Sequence, residues 1–144
     1  MNLILKTNVR GHYLQVMDRF DESLFNALKP VGVKMNVTQF TGSKTGDTVA
    51  LEFTSPIKAK WISKITDHGH DEDQAYFVDE GTQLPFPLKS WTHKHIVQRV
   101  DDERSIIVDD MTFSTGSSIV DYLLYPFMYI GFYPRKSSYK KYFN

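Results

Sequence analysis

The segment Ser90–Ser114, SWTHKHIVQRVDDERSIIVDDMTFS, decides how the rest of the chain is read. Residues of opposite polarity alternate on both sides of the acidic turn Asp101-Asp102-Glu103. That pattern predicts a hairpin of two strands, Ser90 to Val100 and Ser105 to Ser114. Side chains two apart on a strand share a face. One face of the first strand therefore carries Trp91, His93, His95 and Val97, and one face of the second carries Ile107, Asp109, Met111 and Phe113. A register that joins these two faces sets Asp109 close to His95, with His93 nearer Met111 or Phe113. A carboxylate beside an imidazole orients the ring and raises its pKa, which suits a general acid, a base or a group that grips a ligand. The same residues also fit a buried polar network that only satisfies itself, or histidines turned to solvent. All three readings stand at this point.

Working outward, period-two patterning continues upstream. Ile57, Ala59, Trp61, Ser63 and Ile65 share one face of a strand while Lys58, Lys60 and Lys64 share the other. Val33, Met35 and Val37 repeat that division before a turn at Gly42 to Gly46, and Val49, Leu51 and Phe53 repeat it after. One dry side and one wet side is the signature of an antiparallel sheet. Asp67 to Gln74 reads as a polar loop, Ala75 to Asp79 as the start of another strand, and Gly81 to Leu88, with two prolines, as a bend. At the N-terminus Leu3 to Thr7 alternates as a strand. A helical stretch follows from about His12 to Leu28, with Asp21 as a cap and Phe20, Leu24, Phe25 and Leu28 at helical spacing; Pro30 and Gly32 end it.

Downstream the period changes again. Ser117 or Ser118 can cap a helix that runs Ile119 to Ile130 and beyond, with Asp121 the only charge between Gly116 and Pro134. A helix apolar nearly all round is expected to be buried on more than one side. Its uninterrupted apolar run is shorter than the roughly 20 residues of a membrane span, and Pro126 and Gly131 interrupt it, so no integral membrane segment is expected. The tail Arg135 to Asn144 interleaves Arg135, Lys136, Lys140 and Lys141 with Tyr139, Tyr142 and Phe143, an end that packs its rings and solvates its charges.

Composition narrows the function classes. The 144 residues suit a single domain, 1–144, with no internal repeat and no linker. Seventeen basic and seventeen acidic residues balance to zero, which argues against a nucleic-acid partner held by a clustered basic excess. Cysteine is absent, which excludes disulfides, thiolate metal sites and a cysteine nucleophile. The first residues lack the marks of a signal peptide, so a cytoplasmic protein is expected. Aromatics reach 14%, enough to wall a cavity or to fill a core. No nucleophile elbow, Walker loop or dinucleotide fingerprint occurs. The segment Asp67-His68-Gly69-His70-Asp71-Glu72-Asp73 has metal-binding atoms without a fixed geometry and reads as a solvated tip. No resident metal and no cofactor are expected.

Strand, helical pair, a run of strands and a long C-terminal helix together resemble the START/Bet v 1-like helix-grip superfamily, also called SRPBCC or polyketide cyclase/dehydrase-like proteins. The phrase Trp91-x-His93-x-His95, a short turn, then Asp109-x-Met111-x-Phe113 is similar to the bacterial ligand-binding SRPBCC branch, as are Phe25-Asn-Ala-Leu-Lys-Pro30 and Gly46-Asp47-x-Val49. The resemblance implies an α+β fold: a curved antiparallel sheet of about seven strands wrapped around a long C-terminal helix, with a short helical pair after the first strand. It also implies an apolar cavity between sheet and helix, lined by Trp61, Phe77, Trp91, His93, His95, Asp109, Met111 and Phe113 from the sheet and Tyr122, Tyr125 and Tyr129 from the helix. The expected function is an intracellular carrier of a small hydrophobic molecule (a lipid, isoprenoid or aromatic metabolite), with a homodimer left open. Two alternatives stand beside it. One is a cyclase, dehydratase or hydrolase using His95 with Asp109 as acid and base. The other is a regulatory interaction module with a filled core, its tail binding a partner.

Overall fold

A computed structural model describes residues 1–30 and 32–144 of the chain. Seven strands form one antiparallel sheet in the order β1-β7-β6-β5-β4-β3-β2. They are β1 Asn2–Arg10, β2 Lys34–Phe40, β3 Thr48–Ser55, β4 Ala59–His70, β5 Gln74–Gln83, β6 Ser90–Arg99 and β7 Arg104–Ser114. Strict alternation makes β1 a one-sided strand, with Leu3, Leu5, Thr7 and Val9 buried and their neighbours exposed. Register shifts between Ile62 and Ser63 and between Ile65 and Asp67 bend β4 against β5. Bulges of this kind raise the local twist, so the sheet curls and one face becomes concave.

The helical stretch after β1 is two helices, α1 Tyr13–Asp18 and α2 Glu22–Ala27. Asp21 accepts a hydrogen bond from the Leu24 amide at 3.0 Å and starts α2 as a cap should. Tyr13, Val16, Phe20, Leu24 and Leu28 close one end of the concave face against Phe77, Val97 and Ile107. The strands on either side of residues 71–73 are longer than their patterning predicts. β4 runs to His70 and β5 begins at Gln74, so the expected Asp67 to Gln74 loop shrinks to three residues; β5 also runs on through Gly81 to Gln83. Both extensions are wet on their outer face, where alternation fades although backbone pairing continues.

α3 Ser118–Phe132 is capped by Ser117 and passes through Pro126 and Gly131 without breaking. It is not buried on more than one side. The Asp121 carboxylate accepts hydrogen bonds from the amide and hydroxyl of Thr115, both at 2.6 Å, and this pair sets the helix's rotation. Leu124, Tyr125, Met128 and Phe132 then pack inward on Leu3, Leu5, Trp91, Met111 and Phe113, while Ile119, Tyr122, Leu123, Phe127 and Ile130 face outward. No helix among the described residues is long and apolar enough to cross a membrane. α4 Arg135–Tyr142 turns back over β1, burying Arg135 and Tyr139 and leaving Lys140 and Lys141 exposed.

Candidate functional site

α3 covers the β1-β7-β6 side of the concave face and leaves the β2 to β5 side uncovered. A half-open cavity lies there, with about 730 Å³ of free space when its mouth is counted. A sphere the size of water can centre itself over about 100 Å³ of it. That smaller figure governs occupancy, because one bound water needs roughly 10–15 Å³ of such volume. Several waters fit in the cavity. The walls are apolar: Leu28 and Pro30 beside α2, Met35, Val49, Leu51 and Phe53 from β2 and β3, Trp61 and Ile65 from β4, and Phe77, Trp91 and Phe132.

The floor is polar and buried. The β6–β7 register pairs His95 with Asp109 and His93 with Met111 at the Cα atoms. The side chains bond diagonally instead. His93 Nε2 lies 2.9 Å from Asp109 Oδ1, and His95 Nε2 lies 2.6 Å from Asp79 Oδ2 on β5. The other ring nitrogens make the long contacts, His93 Nδ1 to Asp79 at 4.0 Å and His95 Nδ1 to Asp109 at 3.9 Å. The two imidazoles stack with centroids 3.6 Å apart. Two carboxylates and two histidines thus form a closed square. Phe77 stacks on the outer side of His95 at 4.2 Å. Behind the square, the Tyr139 hydroxyl donates to Asp109 Oδ1 at 3.2 Å, and the Arg135 guanidinium sits 3.8 Å from the same oxygen.

Burial by itself would push both carboxyls up. For Asp109 the Arg135 charge and the His93 hydrogen bond outweigh it and hold the group well below the usual carboxylate range. For Asp79 the His95 hydrogen bond and the two imidazoles do the same. Burial, with His93 alongside, pulls His95 down to about 4 against the pull of Asp79 and Asp109, so His95 is neutral near pH 7. An ionised carboxylate only accepts, so each Nε2 carries the proton, and in a neutral ring Nδ1 is the free base. Four buried side-chain atoms have no hydrogen-bond partner among the described residues, and three of them, His95 Nδ1, Asp109 Oδ2 and Arg135 Nε, lie together here; the fourth is Thr7 Oγ1 on β1. Orphaned buried polar atoms cost about 1–3 kcal/mol each, so their clustering beside a cavity points to a site.

Asp79, His93 and His95 hold donor atoms within 4.8 Å of one another, a donor set seen in metal sites. As arranged, His95 Nε2 and Asp79 Oδ2 are 2.6 Å apart, a hydrogen-bond contact with no room for an ion between them, so these donors would have to move to hold one. The His68 segment does not gather donors either: His68 Nδ1 accepts from the Thr45 amide, and Asp71 caps its own turn at Asp73 and Gln74.

Of the residues expected to line a cavity, Trp61, Phe77, Trp91, His93 and His95 do so. Asp109 stands behind the histidines. Met111 and Phe113 are covered by the inner face of α3, because the helix sits on β7. Tyr122 faces outward, Tyr129 is 39% exposed, and Tyr125 packs in the cluster under α3; none lines the cavity. Phe132 and Arg135 take the positions expected of the tyrosines. His95 and Asp109 are not the hydrogen-bonded pair. Asp79 and Arg135 line the candidate site without having been expected there. Their signals were an acid in phase with Ala75 and Phe77, and an arginine one helical turn before Tyr139.

No protein-family model matches the chain, and no curated protein matches it. Solved structures do. The Zhui aromatase/cyclase of a Streptomyces species is 14% identical with a TM-score of 0.56, over 84% of this chain and 72% of that one. A point mutant of Thalictrum flavum norcoclaurine synthase, in complex with a transition-state analogue, is 9% identical at TM-score 0.63, over 88% and 82%. A Thermobifida fusca protein is 16% identical at 0.64, over 92% and 85%. The chain has a helix-grip fold, a curled antiparallel sheet of seven strands with a long C-terminal helix and short helices after the first strand. At these identities the likeness is one of fold, and function rests on the site.

Proposed function

We propose that the chain binds a small hydrophobic molecule of one or two rings in the cavity, polar end down on the square of Asp79, His93, His95 and Asp109. The observation that carries this reading is an apolar chamber over a buried, charged floor. Apolar walls supply affinity by removing ligand surface from water, and a few fixed polar groups supply orientation. Two carboxylates face one guanidinium, so the floor holds a surplus negative charge for the imidazoles or the ligand to balance. A ligand end that donates hydrogen bonds or carries positive charge suits it best.

A second reading follows from one feature. His93 lines the cavity and is held through Nε2 by Asp109, so its Nδ1 is a general base supported from behind. Structural neighbours that include an aromatase/cyclase and norcoclaurine synthase are consistent with acid–base work on an aromatic substrate. Thermal-shift screening of small aromatic amines, phenols and acids separates the outcomes. Binding that survives in His93→Gln with no turnover in the native chain favours a carrier. Turnover lost in His93→Gln, with binding kept, favours an enzyme. No shift with any compound contradicts both.

A further inference from the structure

We propose that one end of the sheet, together with the outer face of α3, docks on the surface of an anionic phospholipid bilayer. Strand register defines that end. The starts of β1, β2, β4 and β6 and the ends of β3, β5 and β7 all lie there. The connections at this end therefore come together: the β3–β4 turn at residues 56–58, the β5–β6 loop at 84–89 and the β7–α3 link at 115–117. Lys89 lies against that link, its Nζ 3.1 Å from where a Gly116 Cβ would stand.

Exposed apolar side chains concentrate at this place. Ile57 is 74% exposed, Phe86, between two prolines, is 97% exposed, and Ile119, Phe127 and Ile130 continue the surface along α3. Among the described residues, ten of the thirteen exposed large apolar side chains belong to these two loops or to the stretch from Ile119 to Tyr133. Scattered exposure is ordinary in a folded chain; concentration on one face marks an interaction surface. Tyr122, Tyr129 and Tyr133 add phenols, which favour the boundary between lipid and water.

Charge selects the occupant. The connections at this end carry Lys29, Lys58 and Lys89 and no acid, and the first residue of β2 adds Lys34, while Lys60 on β4 stands opposite Glu52 on β3. Past α3, Lys136 stands 5.8 Å over the Tyr133 ring. The opposite connections carry Asp47, the run Asp71-Glu72-Asp73 and the run Asp101-Asp102-Glu103 against Lys44. Arg99 and Arg104 pair with Asp102 and Asp101 there and leave the others free of such pairs. The connections are thus sorted by charge, with lysines and no acid at the apolar end and seven acids against Lys44 in the hairpin turns opposite, although Arg10 and Lys140 also stand at that opposite end. An anionic surface attracts the lysines and repels the acidic turns, which orients the molecule.

A second copy of the chain fits less well. A two-fold contact through this end would set lysine against lysine. The outer strip of α3, about 22 Å long and roughly 10 Å across, also falls short of the roughly 800 Å² per partner of a stable interface. A helix of 15 residues, apolar outside and anchored inside, lies in the interface plane rather than across it.

Flotation of the full chain with vesicles tests this. Equal parts phosphatidylglycerol and phosphatidylcholine should bind it at least about tenfold more tightly than phosphatidylcholine alone, with the difference shrinking as salt rises. Phe86→Glu with Phe127→Glu should lower binding about tenfold or more without moving the melting temperature, because both rings are exposed. Lys58→Glu with Lys89→Glu should lose the preference for anionic vesicles. Val100→Glu, at the acidic end, should change nothing. Equal binding to both vesicles, indifference to the Phe86 and Phe127 changes, or a dimer that those changes dissociate in a chain that ignores vesicles would each overturn the proposal.

Discussion

Asp109 is 1% exposed and serves three neighbours, accepting from His93 and Tyr139 and balancing the charge of Arg135. Removing it would take away the nearest counter-charge of a buried guanidinium and leave only Asp79 to balance it. Asp109→Ala is therefore expected to cost about 3–5 kcal/mol in chemical denaturation, whereas Asp110→Ala, next in the chain and bonded only at the surface, should cost about 0.5 kcal/mol or less. His95 sets the response to acid. Its folded pKa is about 4 against an ordinary 6.5, so between those values the unfolded chain holds more protons than the folded one. Stability conferred by the neutral ring is complete above about pH 6.5 and is lost as pH falls towards 4. Below that, the lowered Asp79 and Asp109 add their own loss as they are forced to take protons. Melting temperature should fall steadily from pH 7 to pH 4, and His95→Gln should flatten that slope. At this scale the sequence revealed the chemical types but not the bonds. Alternation placed His93, His95 and Asp109 on one face, yet a side chain on a curled sheet reaches a diagonal neighbour as easily as the one opposite. Asp79 belongs to the next strand, so no pattern within the hairpin could include it.

α3 illustrates what periodicity can and cannot settle. The cap at Ser117 and the apolar run announce a helix, but both of its faces are apolar, so hydrophobic spacing leaves its rotation undecided. One charged residue decides it. With Asp121 turned in to Thr115, Met128 must point to the core and Ile130 away from it. Met128→Ala should cost about 2 kcal/mol on denaturation and Ile130→Ala about 0.5 kcal/mol or less. Equal costs, or the reverse order, would mean that the helix is rotated. α4 poses the same problem with charges: Arg135 and Lys140 look alike in the chain, but only Arg135 lies one turn before the buried Tyr139. Strand ends were illegible for a different reason. Backbone pairing carries β4 through Asp67 to His70, although side chains there face water and cease to alternate.

At the scale of the whole molecule, a curled sheet under a helix that covers only half of it leaves room. The architecture was legible, because seven one-sided strands and a terminal helix have few ways to bury their apolar faces. The division of the interior was not. Aromatic residues fill one half, as Phe113 and Tyr125 do under α3, and wall the other, as Phe53 and Trp61 do around the cavity. Volume is a property of the assembled fold, not of any segment. The cavity is the account's central claim, and Leu51→Trp should fill it without unfolding the chain. The most direct test is native mass spectrometry of the protein purified from its own host, beside Leu51→Trp purified the same way. The account predicts one small molecule of one or two rings per chain, released on denaturation and missing from the variant. An empty native chain that also takes up nothing from a panel of small aromatic compounds would contradict it.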